Sequence, residues 1–178
     1  MKQNRFIKWS KIKYTKNQRL ISMIPLGIFF LIIMPAIFIR ISNIDKRLDI
    51  PRITFQPFSL IISIFLIILG LIFAFWAIQA EFIEGKGTPV PMMPTQKLVI
   101  TGPFVYCRNP MGFGTICAYL GVVILIGSLS SFILLVFLSS AFLIYIKIVE
   151  EKELEIRFGE DYLEYKKRVP FIIPRISV

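Results

Sequence analysis

"PMGFGTICAYLGVVILIGSLSSFILLVFLSSAFLIYI", residues 110–146, decides the fold: it is 37 residues long and carries no charge. One α-helix of that length would extend roughly 55 Å, whereas about 20 residues cross a hydrocarbon core of about 30 Å. The run must fold back on itself. "GSLSS", residues 127–131, is where glycine and serines permit a tight turn. Two helices joined there form a hairpin whose outer ends return to the same face. That face receives Arg108 and Asn109 before the hairpin and Glu150 and Glu151 after it, a cation and an amide opposite paired acids.

Working outward, residues 20–39 and 57–80 form two further uncharged stretches of spanning length. Pro25 and Pro35 lie in the first, where neighbouring groups can satisfy the carbonyls that proline leaves unpaired. The first stretch exceeds a signal-peptide core and no small-residue cleavage pattern follows, so it reads as a retained anchor. The expected fold is an all-α integral membrane protein of about four transmembrane helices. A C-terminal helical hairpin, a Pro/Gly-rich cytoplasmic loop and a short cytoplasmic C-terminal helix complete it. Composition agrees: 56% of the 178 residues are hydrophobic, too many for a water-facing surface of this size.

Charge sets the orientation. Seven basic residues precede the first span (Lys2, Arg5, Lys8, Lys11, Lys13, Lys16, Arg19), three lie in the middle loop and seven follow the hairpin. With four spans these seventeen share one side, against four in the first loop (Arg40, Lys46, Arg47, Arg52). Both termini are expected in the cytoplasm. The N-terminal tail interleaves its cations with Phe6, Trp9 and Tyr14, which suits either a plain topogenic signal or docking on anionic headgroups, with an interfacial segment at residues 9–14.

There is no histidine, so imidazole has no role as base or metal ligand. Cys107 and Cys117 are too few for a disulfide framework and read as packing thiols. The polar residues with chemical potential cluster in the loop at 81–110 and the tail at 150–178. Five prolines (89, 91, 94, 103, 110) and three glycines (85, 87, 102) shape the loop, either to hold a ligand's polar edges or to cover the bundle. "QKLVI" within it looks β-like. Glu150 and Glu151 are expected at a helix C-terminus, where the macrodipole disfavours acids. A nearby cation or hydration at the interface would offset that. In "FGEDYLEYKKRVP", Gly159 breaks the chain and acids precede bases, which suits a short helix packed through Tyr162, Leu163 and Tyr165. Gly114, Ala118 and Gly121 form a small-residue face expected to pack against the fourth span.

"KLVITGPFVYCRNPMGFGTICAYLG", the hairpin, and "EEKELEIRFGEDYLEYKKRVPFIIPR" together resemble the isoprenylcysteine carboxyl methyltransferase and phospholipid methyltransferase superfamily. The resemblance covers about residues 85–175, through an Arg-His/Asn-Pro, a Glu-Glu pair and a Phe-Gly-x-x-Tyr-x-x-Tyr tail in order. It implies a membrane enzyme using S-adenosylmethionine, held between loop and tail by Lys97, Leu98, Val99, Gly102, Tyr106, Arg108, Asn109, Pro110, Gly114, Glu150 and Glu151. Arg108, Asn109 and Glu151 are the catalytic candidates, and Arg157 or Arg168 would orient an anionic substrate. No metal or nucleic acid is expected; the partners are the bilayer and a lipophilic, lipid or prenylated acceptor. The implied division is residues 1–80 as tail and first two spans, and 81–178 as methyltransferase core. Within that core the cofactor loop is 81–110, the hairpin 111–149 and the tail 150–178. Carboxyl O-methylation of an isoprenylcysteine-like substrate is favoured, with phospholipid headgroup N-methylation as the alternative. A nicotinamide-dependent membrane reductase and a non-enzymatic scaffold are the readings from other classes. The chain departs from the isoprenylcysteine enzymes at Asn109, where they carry His, and at Gly112, where Tyr is usual.

Overall fold

A computed structural model describes residues 12–175; most of the basic N-terminal tail, with Phe6 and Trp9, lies outside the described residues. Among the described residues, three helices are long and apolar enough to cross a membrane: α1 (Lys16–Arg47), α2 (Phe58–Ile83) and α4 (Leu129–Phe158). A shorter apolar helix, α3 (Pro110–Ile126), forms the first arm of the hairpin. The last helix is α5 (Glu160–Arg168). The chain is thus an all-helical membrane protein. No strand occurs among the described residues, and "QKLVI" is irregular. Its β-branched residues have no partner strand, and the loop's backbone bonds close local turns instead.

Each element starts and stops for identifiable reasons. Thr15 caps α1 in a capping box with Gln18. The helix then passes through a π turn at Phe29–Ile33, where the Met34 N–H reaches back to the Phe29 carbonyl. The next such bond would join Pro35 to Phe30, but proline has no N–H. The Tyr119 hydroxyl from α3 donates to that Phe30 carbonyl at 2.9 Å. In a bilayer no water is present to do so. Pro110 occupies the first position of α3, where a missing N–H costs nothing. Gly127, at φ 67°, ends α3 in the left-handed conformation, and the Ser128 hydroxyl caps α4 by accepting from Ser131 N–H at 3.1 Å.

The closest helix pair is α2 with α3, and this corrects one expectation. The small-residue face at Gly114, Ala118 and Gly121 packs against the second span, not the fourth. A Cβ on Gly114 would collide with the Gly70 carbonyl, and one on Gly121 would lie 2.7 Å from the Ser63 carbonyl. On α2 the matching residues Ser63, Gly70 and Ala77 are buried and spaced by seven, so they share one side. Two small stripes face to face let the backbones touch, which is how helices associate where lipid competes equally for apolar side chains.

At the turn end of the bundle, Asp45 in the last turn of α1 is buried against the start of α4. It accepts from Ser128 Oγ at 2.6 Å and from Ser130 N–H at 3.1 Å, and also from Ser130 Oγ. The positive end of the α4 dipole and these donors replace the water that the carboxylate lost. Ser131 Oγ donates to the Phe38 carbonyl at 2.8 Å, about two turns before Asp45 on α1.

One correction concerns the hairpin's far end. Glu150 and Glu151 are not at a helix terminus, because α4 continues to Phe158. A π turn at Ile146–Glu150 interrupts its hydrogen-bond phase instead.

Gly114→Leu should break the α2–α3 contact and cost about 3 kcal/mol or more. Gly27→Leu, where an added side chain meets nothing within 4 Å, should leave stability unchanged. Thermal unfolding of both variants in the same detergent checks the pair.

Candidate functional site

The loop between α2 and α3 is folded tightly onto the bundle. Gly85 and Gly87 permit it: a Cβ on Gly85 would lie 2.7 Å from the Glu81 carbonyl, and one on Gly87 would strike the backbone of Thr95. Thr88 closes a turn over Met93, its N–H and hydroxyl donating to that carbonyl at 2.9 and 3.1 Å. Gly102, at φ 58°, opens a short 3-10 turn (Gly102–Val105). The carbonyl of Phe104 in that turn accepts the buried Tyr165 hydroxyl at 2.7 Å, fixing α5 to the loop. Tyr162, one turn earlier, is buried beside it. Burial in this cluster raises the phenols of Tyr162 and Tyr165 above their ordinary range.

Arg108 is the centre of the polar end. Its guanidinium pairs with Glu151 at 2.7 Å, with side chains 6% and 2% exposed. It also donates to the Lys166 carbonyl near the C-terminus of α5 at 2.8 Å, where the dipole favours a cation. Lys166 in turn meets Glu151 at 2.9 Å and Glu155 at 2.7 Å. These contacts, the one to Glu155 first, hold the Lys166 ammonium above its usual value. Asn109 follows Arg108 in the chain and bonds the C-terminal segment. Its amide donates to the Phe171 carbonyl at 2.8 Å, tying the C-terminal segment across the mouth of the hairpin.

The π turn explains why the adjacent acids part company. In an unbroken helix Glu150 would stand about 80° from Phe142, eight residues earlier at about 100° each. The extra residue of a π turn brings it back, so Phe142, Tyr145, Glu150, Glu153, Leu154 and Arg157 share one wall. Glu151 is rotated away to Arg108.

That wall closes a cavity of about 260 Å³ together with α2, the loop, α5 and the start of α1. Among the expected site residues, Leu98, Val99, Arg108, Glu150 and Arg157 line it. Glu151 stands behind, holding Arg108. Lys97 is exposed, Tyr106 packs its ring 6.0 Å from Trp76, Gly102 lies beneath the same indole and Pro110 is buried as the α3 start. Arg168 points to solvent and pairs with Glu164 at 3.5 Å. The structure does not bring Lys97, Gly102, Tyr106, Asn109 or Arg168 to the cavity. Gly112 is also absent from it: a Cβ there would meet Phe142, Ile146 and Ile172, leaving no room for the ring usual at this position.

Several cavity residues escaped the sequence reading, Glu81, Tyr145 and Glu153 chief among them. Arg157 pairs with Glu153 at 3.1 Å and donates to the Thr95 carbonyl. Glu81 Oε2 is buried with no hydrogen-bond partner, and so are the Nε atoms of Arg108 and Arg157. The cavity therefore offers unsatisfied groups of both signs. A second cavity of about 240 Å³ adjoins it between α1, α2 and α3, with an almost wholly apolar lining, and shares Leu26, Phe30, Pro89, Met111 and Phe142 with it.

Compared with known protein families, residues 58–161 match the phospholipid methyltransferase family. The match runs from the start of α2 into α5 and takes in α2, the loop and the whole hairpin. No curated protein and no solved structure matches the chain. The chain belongs to the phospholipid methyltransferase family, within the superfamily its motifs resemble, and is a membrane methyltransferase.

Glu151→Ala strands a buried arginine and should lower stability by about 3–5 kcal/mol. Glu150→Ala removes a carboxylate that is in no ion pair among the described residues and should not; melting temperatures of the two variants separate them. Cys107 is fully buried, and burial pushes its thiol up to about 11. In the folded protein at pH 8 iodoacetamide should leave it unmodified, with reaction only after denaturation, as peptide mass mapping reads out.

Proposed function

We propose that the chain transfers the methyl group of S-adenosylmethionine to an amine in the headgroup of a membrane phospholipid. One observation carries this: a polar cavity with unpartnered buried atoms of both signs adjoins an apolar cavity among the membrane helices, and the two share five lining residues. The first suits a zwitterionic cofactor with an added sulfonium, whose carboxylate would take the free Arg108 Nε–H and whose cationic groups would face Glu150. The apolar cavity suits an acyl chain. With both tails in the cytoplasm, as the distribution of basic residues supports, the polar cavity faces the inner leaflet.

When bound, the cofactor supplies an already activated methyl group, so the protein has no bond of its own to make. Its work is positioning and exclusion of water. Arg108 cannot swing, because Glu151 and the Lys166 carbonyl grip two of its nitrogens. The loop residues Leu98 and Val99 line the cavity, and the Tyr165 hydroxyl bonded to the Phe104 carbonyl fixes α5 to the loop.

Of the two acceptors, the charge of the cavity favours the amine over the carboxylate. Arg157 is committed to Glu153 and Arg108 to Glu151, while Glu81 and Glu150 are in no ion pair among the described residues. A carboxylate acceptor would find no cation that the fold leaves free, whereas two acids there have no ion-pair partner. An ammonium headgroup would be drawn to them.

Titration of the detergent-purified protein with S-adenosylmethionine should saturate. Arg108→Ala and Glu150→Ala should each weaken binding about 10- to 100-fold, the loss expected for one charged hydrogen bond. A folded wild type with no saturable binding would overturn the reading; unchanged binding in both variants would move the site.

A further inference from the structure

We infer that Glu81 reads the acceptor: it holds the protonated amine of the lipid headgroup and takes its proton before methyl transfer. This rests on the methyltransferase reading above and deepens it. Neither the motif resemblance nor the sequence analysis assigns Glu81 a role.

The position of Glu81 on α2 carries the inference. Leu71, Ala74, Phe75 and Ile78 line the apolar cavity. Their spacing of three and four makes one continuous stripe on the helix. Glu81 is the next position of that stripe, three residues beyond Ile78, and it lines the polar cavity. The step from apolar wall to carboxylate is one rise of about 4.5 Å along α2. An acyl chain lying along the stripe therefore presents its head beside Glu81. The other walls agree, because Leu26, Phe30 and Met111 touch both cavities and form a common throat.

The state of the carboxylate points the same way. Glu81 Oε2 is buried and has no hydrogen-bond partner, and no cation among the described residues pairs with the side chain. Every other acid close to the cavity on α4 except Glu150 is neutralised within the fold: Glu151 by Arg108 and Lys166, Glu153 by Arg157. An unpaired buried carboxylate is costly to maintain and is retained where an incoming group completes it. Glu150 lies on the α4 wall, with Tyr145 and Glu153. Glu81, on α2, is the one that continues the lipid-facing stripe. The two unpaired acids thus divide between cofactor and acceptor.

The chemistry balances with these groups. The ammonium of the headgroup gives a proton to Glu81 and becomes a neutral amine. Its lone pair forms the new N–C bond to the methyl carbon as the C–S bond breaks, and that electron pair stays on sulfur as the sulfonium becomes a thioether. The nitrogen leaves methylated and again cationic, and Glu81 returns its proton to water as the product departs. A carboxylate acceptor needs no such base, and Glu81 offers it no cation.

The test uses the full-length protein in nanodiscs, as wild type, Glu81→Gln and Glu81→Asp, with three readouts. These are equilibrium binding of S-adenosylhomocysteine, retention of phosphatidylethanolamine against phosphatidylglycerol by native mass spectrometry, and methylation of phosphatidylethanolamine. Glu81→Gln should bind S-adenosylhomocysteine as wild type does, which also reports that it is folded. It should lose about tenfold of the preference for phosphatidylethanolamine. Its methyl transfer should slow at least about 100-fold, as expected for removal of a general base. Glu81→Asp keeps the charge and should keep the lipid preference while slowing transfer. Loss of S-adenosylhomocysteine binding in Glu81→Gln with the Asp variant intact would assign Glu81 to the cofactor and overturn the inference. So would unchanged lipid preference and rate, or a wild type that retains both lipids equally. A wild type that binds no S-adenosylhomocysteine would instead overturn the cofactor reading on which the inference rests.

Discussion

The buried pair of Arg108 and Glu151 is the contact on which the polar end of this protein depends. It joins the last residues of the loop to the middle of α4, and through Lys166 it recruits α5. Three segments that are distant in sequence are held by one carboxylate that is 2% exposed. A buried ion pair is a poor source of net stability, because both charges lose their water. Its value here is geometric. It fixes a guanidinium at the edge of a cavity and leaves part of that guanidinium, the Nε–H, without a partner. The same side chain is therefore a structural strut on one side and an available donor on the other.

The bilayer imposes the second constraint, that backbone groups find partners without water. Both long interrupted helices meet it by similar means. In α1 the π turn before Pro35 leaves the Phe30 carbonyl open, and Tyr119 closes it. In α4 the π turn at Ile146–Glu150 adds one residue to the phase, and the consequence is chemical: Glu150 turns into the cavity while Glu151 turns to Arg108. Two adjacent acids with the same side chain thus acquire opposite environments from a single extra residue of backbone. At the other end of the bundle the same economy appears in Asp45, which needs no cation because the hydroxyls and N–H groups at the start of α4 surround it.

Much of this was legible in the residues. The 37-residue apolar run, with glycine and serine at its midpoint, implied the hairpin, and Gly127 and Ser128 cap its arms as those residue types should. The approach of Arg108 to the acid pair followed from the hairpin alone. What the sequence concealed was phase and partner. Nothing in "IKIVEE" marks a π turn, so the acids read as a helix end. The small face of α3 was visible, but its partner is set by Ser63, Gly70 and Ala77, whose spacing of seven is inconspicuous inside an all-apolar helix. Such a helix shows no amphipathic contrast, since lipid and neighbouring helices accept the same side chains. Glu81 was hidden for that reason: the stripe leading to it has no polar face to stand out against. The family motif likewise marked Asn109, Tyr106 and Lys97, residues that shape or edge the loop and do not line the cavity.

The same logic bears on where selectivity can reside in a chain with no histidine and no free imidazole to act as base. A methyltransferase with an activated donor needs little from its protein beyond placement and the management of one proton. Placement requires rigidity, which the backbone contact of α2 with α3 and the Arg108 network supply on two sides of the cavity. Proton management requires a group whose charge is not already spent on structure. Among the described acids near the cavity, Glu151 and Glu153 are spent on arginines, and Glu155 shares Lys166. Glu81 and Glu150 are the two left over, one at the end of the apolar stripe on α2 and one on the α4 wall. The uneven pairing of acids with bases is what the proposed amine acceptor would use: a fully neutralised cavity would be better settled, and would have nothing to offer an ammonium group.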